Sequence, residues 1–330
     1  MLKQWRIAPL VAIVMAVMMF VISACGGSTT TGSTSGTSGT TPTVGSTATS
    51  SSSTPISGGI ATPTGAYTCV QGSITANGST ALQPLATKVA SLYQSKCSGA
   101  QVNVGPGGSK VGLSNAANGS AQIGDSDVFA SSSQSALVDH QVAVVVFALA
   151  INPDVKGVTN LSTSQILDIY TGKTSNWSQV GGPNLPIVAV ERPASSGTRA
   201  TFKNYVLNGQ IEKPASGKSL TVDSTGTVVQ TIEQTSGAIG YITTGAASSE
   251  GSKLTVLNIG GVAPSNSTVS DNSYKFWNIE HMYTKGAATG LAEAFINYMG
   301  SSDAKSAADS LKFIQISSIP STALQTHQTH

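Results

Sequence analysis

The chain carries the sequence Arg192-Pro193-Ala194-Ser195-Ser196-Gly197-Thr198 between a short apolar run, 187–190, and a segment with helical spacing, 198–207. A glycine- and hydroxyl-rich loop that opens a helix presents free backbone N–H groups, which bind anions. Arg192 adds a planar, permanently charged guanidinium that suits an oxyanion. The stretch therefore predicts a strand–loop–helix unit with an anion-binding turn, although the same residues also serve ordinary helix capping.

Three further loops have the same character. Each follows a strand-like run, combines glycine with Ser, Thr or Asp, and precedes a helical pattern; they are 77–81, 105–109 and 123–127. Glycine lets a ligand approach the backbone closely, and hydroxyl groups add hydrogen-bond donors. Each loop taken singly is better explained by capping and tight turns, so the anion interpretation depends on the four loops together.

Strand-like and helical patterns alternate along the 265 residues from Ala66 to His330. The predicted strands are 73–76, 102–104, 121–124, 142–151, 187–190 and 238–242, and the predicted helices are 82–92, 111–118, 163–170 (capped by Ser162 or Thr163), 198–207, 226–235, 291–299 and 304–311. This alternation predicts an α/β fold with mostly parallel sheets. The length suits two domains of roughly 130 residues each.

Two stretches, 142–151 and 276–283, each precede a turn signal and are expected to carry the chain between the domains. Two crossings make the first domain discontinuous. The predicted lobes are therefore 66–149 plus 279–330 (lobe I) and 150–278 (lobe II), with a ligand cleft between them.

The first 24 residues are predicted to be a signal peptide, with a basic start and a 16-residue apolar run, 7–22, that is short for a membrane span. The run ends in Ile22-Ser23-Ala24-Cys25-Gly26, which resembles a bacterial lipobox and makes Cys25 the candidate lipidation site. An ordinary secretory signal is the alternative. In the next 40 residues, 35 are Gly, Ser, Thr or Pro and none is charged, so 25–65 is predicted to be a lipidated cysteine followed by a disordered linker.

Cys69 and Cys97 are the cysteines left after Cys25. In an oxidising compartment such a pair is expected to form a disulfide, and two buried free thiols are the alternative.

Composition excludes several classes of function. Lys3 and Arg6 lie in the predicted signal, and the remaining 15 basic side chains balance 15 acidic ones, so no nucleic-acid partner is expected. The chain has four histidines, which are few for His-based catalysis or a zinc site. We therefore predict no catalytic residue, no metal and no cofactor.

The four loops, in this order, resemble the phosphate-binding lipoproteins of bacterial phosphate ABC importers, the PstS family. The resemblance runs from about Gly72 to Pro320. It also includes 160–166, 169–173, Asn176-Trp177, 236–241 and 283–286, and its most specific piece is Arg-x-x-x-Ser-Gly-Thr at 192–198. It implies a two-lobed periplasmic-binding-protein fold of type II, in which hinge-joined lobes close on the anion.

The resemblance also implies a set of phosphate contacts, carried over by position. They are Thr80, Ala81, Ser109, Asp127, Arg192, Ser196, Gly197 and Thr198. Ala81 and Gly197 would contribute backbone N–H groups, and Arg192 would lie over the phosphate.

Asp127 is the carboxylate of this set. A carboxylate beside an anion is useful when the ligand carries a proton, because Asp127 then accepts an O–H hydrogen bond. Sulfate carries no such proton at neutral pH, so it would leave two buried acceptors facing each other. Selection of phosphate over sulfate is the expected result.

Three residues depart from the family's usual pattern. Asp125 adds an acid near the site and is expected to cap or point outward. Lys110 follows Ser109 and either adds charge to the cleft or is exposed. Glu280 stands where an arginine is often found, near the second crossing.

The resemblance predicts a non-enzymatic, extracytoplasmic binding protein, anchored to the bacterial membrane by lipid, that passes phosphate to the permease of an ABC importer as a monomer. Another oxyanion such as molybdate or tungstate, and a surface sensor or adhesin, are alternatives within the same fold. A phosphate-ester hydrolase with Ser196 or Ser109 as the nucleophile is the alternative of a different class, although no histidine or metal cluster accompanies either serine in the sequence.

Overall fold

The computed structural model describes residues 60–327. The strands are β1 (Ile60–Ala61), β2 (Gly72–Gly78), β3 (Ala100–Pro106), β4 (Ile123–Ser126), β5 (Leu137–Ile151), β6 (Asn160–Leu161), β7 (Val188–Glu191), β8 (Ser219–Thr221), β9 (Ala238–Thr243), β10 (Thr255–Ile259) and β11 (Trp277–Lys285). The helices are α1 (Gln83–Lys96), α2 (Ser109–Asn118), α3 (Thr163–Tyr170), α4 (Gly197–Tyr205), α5 (Thr225–Gln234), α6 (Thr244–Glu250), α7 (Asn266–Ser270), α8 (Gly290–Tyr298), α9 (Ser302–Ser310) and α10 (Ser321–Gln325).

The main path of hydrogen-bonded strands runs β3-β2-β4-β11-β5-β9-β7-β8. β2 is parallel to β3 and β4, and β7 is parallel to β8 and β9. The antiparallel pairs all involve β5 or β11, the two long strands that the sequence assigned to the crossings. The predicted α/β class is confirmed, but the pairing is mixed rather than mostly parallel, because the two long strands pair antiparallel with their neighbours.

β5 belongs to both lobes. Its residues up to Val146 pair with β11, and its residues from Phe147 to Ile151 pair with β9. The change of partner after Val146 therefore comes three residues before residue 149, the predicted end of the first segment of lobe I. β11 begins at Trp277, two residues before residue 279, where the second segment of lobe I was predicted to begin. The described residues belong to one compact unit. We define lobe I as the side of β5 that pairs with β11 and lobe II as the side that pairs with β9.

The core explains why the predicted helices form. In α1 the side chains of Leu85, Val89 and Tyr93 recur at helical spacing and are buried. Trp177 and Trp277 are also buried in the core. Each fully buried side chain of this size contributes roughly 1.5–3 kcal/mol to folding. Ser162, one of the two predicted caps, accepts from the Gln165 N–H and starts α3.

The last residues of the predicted linker are ordered, which corrects the prediction for 60–65. β1 pairs with Asp139 and His140 of β5, and the Gly65 N–H donates to the Asn297 carbonyl at 3.0 Å. Backbone hydrogen bonds do not depend on side-chain hydrophobicity, so a Gly/Thr-rich segment can still pair with an open strand.

Cys69 and Cys97 are joined in a disulfide, with 5.0 Å between their Cα atoms. The bridge ties the segment before β2 to the end of α1. The predicted signal peptide, the Cys25 lipidation site and the linker up to residue 59 lie outside the described residues. Between residues 60 and 327, no helix combines the length and apolarity needed to cross a membrane.

Candidate anion-binding site between the lobes

The four predicted loops meet where the two lobes touch. Those after β2, β3 and β4 belong to lobe I, and that after β7 belongs to lobe II. Across the boundary, the Lys110 N–H donates to the Ser195 carbonyl at 3.1 Å. A Cβ atom at Gly108 would lie 2.9 Å from that same carbonyl oxygen, so only glycine permits this approach. The ends of distant strands are thus brought to one place.

Asp127 receives hydrogen bonds from both lobes. The Ser109 hydroxyl donates to Oδ1 at 3.2 Å, and the Thr198 hydroxyl of lobe II donates to Oδ2 at 2.8 Å. The Asp127 N–H in turn donates to Ser109 Oγ at 3.0 Å. Asp127 and Ser109 are at most 1% exposed. The carboxylate is therefore fixed in position, and its remaining lone pairs are available to a proton-bearing ligand.

Arg192 is almost fully buried, at 1% exposure. Its Nη2 donates to Thr80 Oγ1 at 3.1 Å and to the Asp223 carbonyl at 2.8 Å. Its Nε and Nη1 have no hydrogen-bond partner among the described residues. Burial lowers the pKa of Arg192, and the negative charge of Asp127 opposes that shift. A buried guanidinium with two free donor atoms is the strongest sign of an anion site in the structure.

Two groups hold the backbone of Arg192. The Tyr241 hydroxyl accepts from the Arg192 N–H at 3.1 Å, and Arg199 Nη1 donates to the Arg192 carbonyl. Arg199 also forms ion pairs with Glu191 and Glu212. Arg199 therefore has a structural role, and its contact with the Arg192 carbonyl was not expected from the sequence.

The start of α4 faces lobe I. The Ser196 side chain caps the helix by accepting from the Arg199 N–H at 3.2 Å. A Cβ at Gly197 would overlap the Ser109 hydroxyl and lie 3.0 Å from the Cβ of Asp127. The first N–H groups of a helix lack partners within the helix, so those of Gly197 and Thr198 are suited to an anion.

Thr80 and Ala81 lie at the start of the loop after β2. The Thr80 hydroxyl accepts from Arg192 and from the Thr225 N–H, the latter at 3.2 Å. The Ala81 N–H donates to Ser79 Oγ at 3.1 Å, so in this structure it already has an acceptor within the protein. Its role as a ligand contact stays a prediction.

Asp125 was predicted to cap or point outward, and this is wrong. Asp125 is 0% exposed and neither carboxyl oxygen has a hydrogen-bond partner among the described residues. Burial, with Asp127 nearby, raises its pKa to about 8. Glu280 is equally buried, and burial followed by the charges of Asp127 and Asp125 raises its pKa well above the ordinary value. Both residues were noted in the sequence analysis. The pattern of a single sequence does not show which side chains are buried next to each other.

Three further side chains, those of Lys110, His281 and His140, are peripheral to the anion site. Lys110 is exposed, which decides between its two predicted placements. His281 pairs with Asp139 at 2.8 Å, and His140 contacts the Thr284 hydroxyl at 3.1 Å, so both histidines have structural partners. Within the described part of the chain, no group of three or more His, Cys, Asp or Glu side chains is arranged to hold a metal ion.

Comparison with known proteins agrees with this geometry. The family model for the PBP superfamily domain matches residues 33–303. The chain is 45% identical to the phosphate-binding protein PstS of Bacillus subtilis over 236 residues, which are 70% of this chain and 76% of that protein. The chain belongs to the PstS family.

One further relative and two solved structures are similar to this chain. The chain is 26% identical over 208 residues to PstS of Borreliella burgdorferi, covering 61% of this chain and 74% of that protein. The structure of a proposed phosphate ABC transporter substrate-binding protein from Clostridium perfringens, with bound phosphate, matches with a TM-score of 0.69 and 26% identity over 74% of this chain and all of that one. An ABC-type phosphate transport receptor from Vibrio cholerae matches in fold, with a TM-score of 0.60 over 73% of this chain and 99% of that one. The two-lobed fold predicted from the sequence is therefore confirmed.

Proposed function

We propose that this protein captures inorganic phosphate between its lobes and delivers it to the permease of an ABC importer. The main support for the proposal is that a buried Arg192 with two unpaired donor atoms lies near a fixed Asp127. Arg192 and the start of α4 supply donors for the phosphate oxygens. Asp127 supplies the acceptor for a phosphate O–H group, which sulfate lacks at neutral pH.

The phosphate contacts that we propose are Thr80, Ser109, Asp127, Arg192, Ser196, Gly197 and Thr198, with Ala81 retained as a predicted backbone contact. Hydrogen bonds between Thr198 and Asp127, and between Arg192 and Thr80, already join the two lobes. A ligand that adds further contacts to both walls would stabilise this closed arrangement.

We further propose that the protein acts outside the cytoplasm, that Cys25 anchors it to the membrane through lipid, and that it works as a monomer without a cofactor. A binding role rather than hydrolysis is supported by the serines themselves. The Ser109 hydroxyl donates to a carboxylate, and the Ser196 hydroxyl caps α4. Neither contacts a histidine in these hydrogen bonds, and a serine nucleophile needs a neighbouring base.

Calorimetric titration of the purified protein with phosphate and with sulfate at pH 7 tests the proposal. We expect tight phosphate binding without sulfate binding. Asp127→Asn should weaken phosphate about tenfold, as expected for one charge-assisted hydrogen bond, and should gain measurable sulfate affinity. Asp309→Asn, an exposed change of the same kind, is the control.

Equal binding of the two anions by the wild type would contradict the role of Asp127, and binding of neither would contradict the phosphate function. Release of product from a generic phosphate monoester would favour the hydrolase instead.

A further inference from the structure

The wall behind Asp127 contains two more carboxyl groups. Asp125 precedes Asp127 by two residues on β4, and Glu280 lies on the neighbouring strand β11, which pairs with β4 through Met282 and Asp125. Both side chains are 0% exposed, and none of their four carboxyl oxygens has a hydrogen-bond partner among the described residues. A buried acceptor without a donor is costly, so the arrangement needs an explanation.

The groups that face these carboxyls are few. Glu280 faces the carboxyls of Asp127 and Asp125 and the Ser79 hydroxyl, and Asp125 faces Asp127. Ser79 Oγ accepts the N–H groups of Ala81 and Leu82, which leaves its single proton free to donate. The nearby cation is Arg192, which acts on Asp127. The next acid along, Asp139, pairs with His281.

Charge balance decides the protonation of this group. If all three carboxyls were ionised, Arg192 would offset one charge and two would remain buried beside the place where an anion binds. Ser79 has one proton to donate and cannot satisfy both oxygens of Glu280. Two facing carboxyl groups are satisfied when one carries a proton and donates it to the other. Asp127 already accepts from Ser109 and Thr198, so Asp127 is the acceptor of that pair.

We propose that Asp125 and Glu280 are protonated acids that keep the inner wall of the anion site neutral, and that Glu280 donates its proton to Asp127 and so positions the carboxylate that receives the phosphate. Both are positioning residues for phosphate binding, and the inference rests on the function proposed above.

The titration of the two acids gives the sign of the effect. Burial raises the pKa of Asp125 to about 8 and that of Glu280 well above its ordinary value. Because they interact, the two acids titrate as a pair. Below the pH at which the first of these two acids loses its proton, the wall is neutral. Above it, loss of a proton places a negative charge beside the ligand, so phosphate affinity falls as the pH rises.

The test is titration of the full chain with inorganic phosphate from pH 6.5 to 9. It compares the wild type with Asp125→Asn, Glu280→Gln and the double variant. Comparison of the proteins at the same pH cancels the effect of the ionisation of phosphate itself.

We expect the double variant to bind phosphate within about threefold of the wild type at pH 6.5 and at least about tenfold more tightly at pH 9, the effect of removing one nearby negative charge. Glu293→Gln, an exposed change on α8, should follow the wild type throughout. A wild-type to double-variant ratio that stays constant with pH would overturn the inference.

A second comparison examines the donated proton. Glu280→Gln keeps a donor toward Asp127, whereas Glu280→Met removes it, so at pH 6.5 the Met variant should bind phosphate about tenfold more weakly than the Gln variant. Equal affinities would contradict donation to Asp127.

Proton release and uptake provide a measurement that does not depend on the folding of any variant. Calorimetry of the wild type at pH 9, in buffers of different ionisation enthalpy, should show protons taken up as phosphate binds. Binding without proton uptake would overturn the inference while leaving the proposed function intact. A wild type that binds no phosphate at any pH would instead refute the proposed function.

Discussion

The two walls of the cleft differ in chemistry. The wall from lobe I carries three buried carboxyl groups, those of Asp125, Asp127 and Glu280, together with the Ser109 hydroxyl. The wall from lobe II carries Arg192 and the start of α4. The side-chain hydrogen bonds that join the walls through Arg192 and Thr198 both run from a lobe II donor to a lobe I acceptor.

This division assigns a different task to each lobe. The donors of lobe II attract any oxyanion, because a guanidinium and helix N–H groups bind phosphate and sulfate alike. The carboxylate of lobe I discriminates, because only a protonated anion can donate to it. Attraction and selection thus reside on opposite sides of the hinge, and each side can be altered separately.

The largest effect is expected from removing the charge of the lobe II wall. Arg192→Gln should weaken phosphate binding by about 4 kcal/mol, roughly 1,000-fold, because a buried charged donor is lost and Asp127 is left without its cation. Calorimetry measures the change, with the exposed Lys88→Gln as the control. A loss of less than tenfold would mean that Arg192 is not the principal phosphate contact.

A smaller effect is expected where the walls touch. Gly197→Ala adds a methyl group that overlaps the Ser109 hydroxyl and meets the Cβ of Asp127 at 3.0 Å. The walls should be held apart at a cost of about 2 kcal/mol, roughly 30-fold in affinity. Small-angle scattering with saturating phosphate should show a larger radius of gyration than in the wild type.

Gly209→Ala is the control for that change, since a Cβ there meets no atom within 4 Å, although its φ of +78° adds local backbone strain. Unchanged affinity in the Gly197 variant would argue against close contact of the walls during binding.

A third effect, the smallest at any single step of pH, concerns the lobe I wall without ligand. The pKa of Asp125 is about 8 in the folded protein against an ordinary value of 3.8. Between these values the folded state holds a proton that the unfolded state has released, so stability falls as the pH rises, by up to about 1.4 kcal/mol per pH unit. Asp125→Asn removes this dependence.

Thermal unfolding from pH 5 to 8 measures the change. The melting temperature of Asp125→Asn relative to the wild type should rise by a few degrees per pH unit. The exposed Asp309→Asn should show no such trend. Parallel profiles for Asp125→Asn and the wild type would mean that Asp125 is ionised when folded.

Most of the fold could be predicted because its signals are local. Helical spacing in α1, the Ser196 cap of α4 and the apolar run of β5 each act within a few residues. Short elements such as β8 and α7 were missed, since three to five residues give little periodicity. The bounds of β5 differed by five residues at its start, where Asp139, His140 and Gln141 interrupt the apolar pattern although all three are buried.

The sequence determined the fold class, the four loops and the residue types that an oxyanion requires, because capping, turn formation and permanent charge are properties of short segments. Tertiary structure alone decided that Thr198 reaches Asp127 from the other lobe and that Ser79 uses the Ala81 N–H. It also decided that Asp125 and Glu280 are buried together behind Asp127. These contacts join residues on separate strands and lobes, and the pKa of a carboxyl depends on the dielectric and charges around it, which only the assembled interior sets.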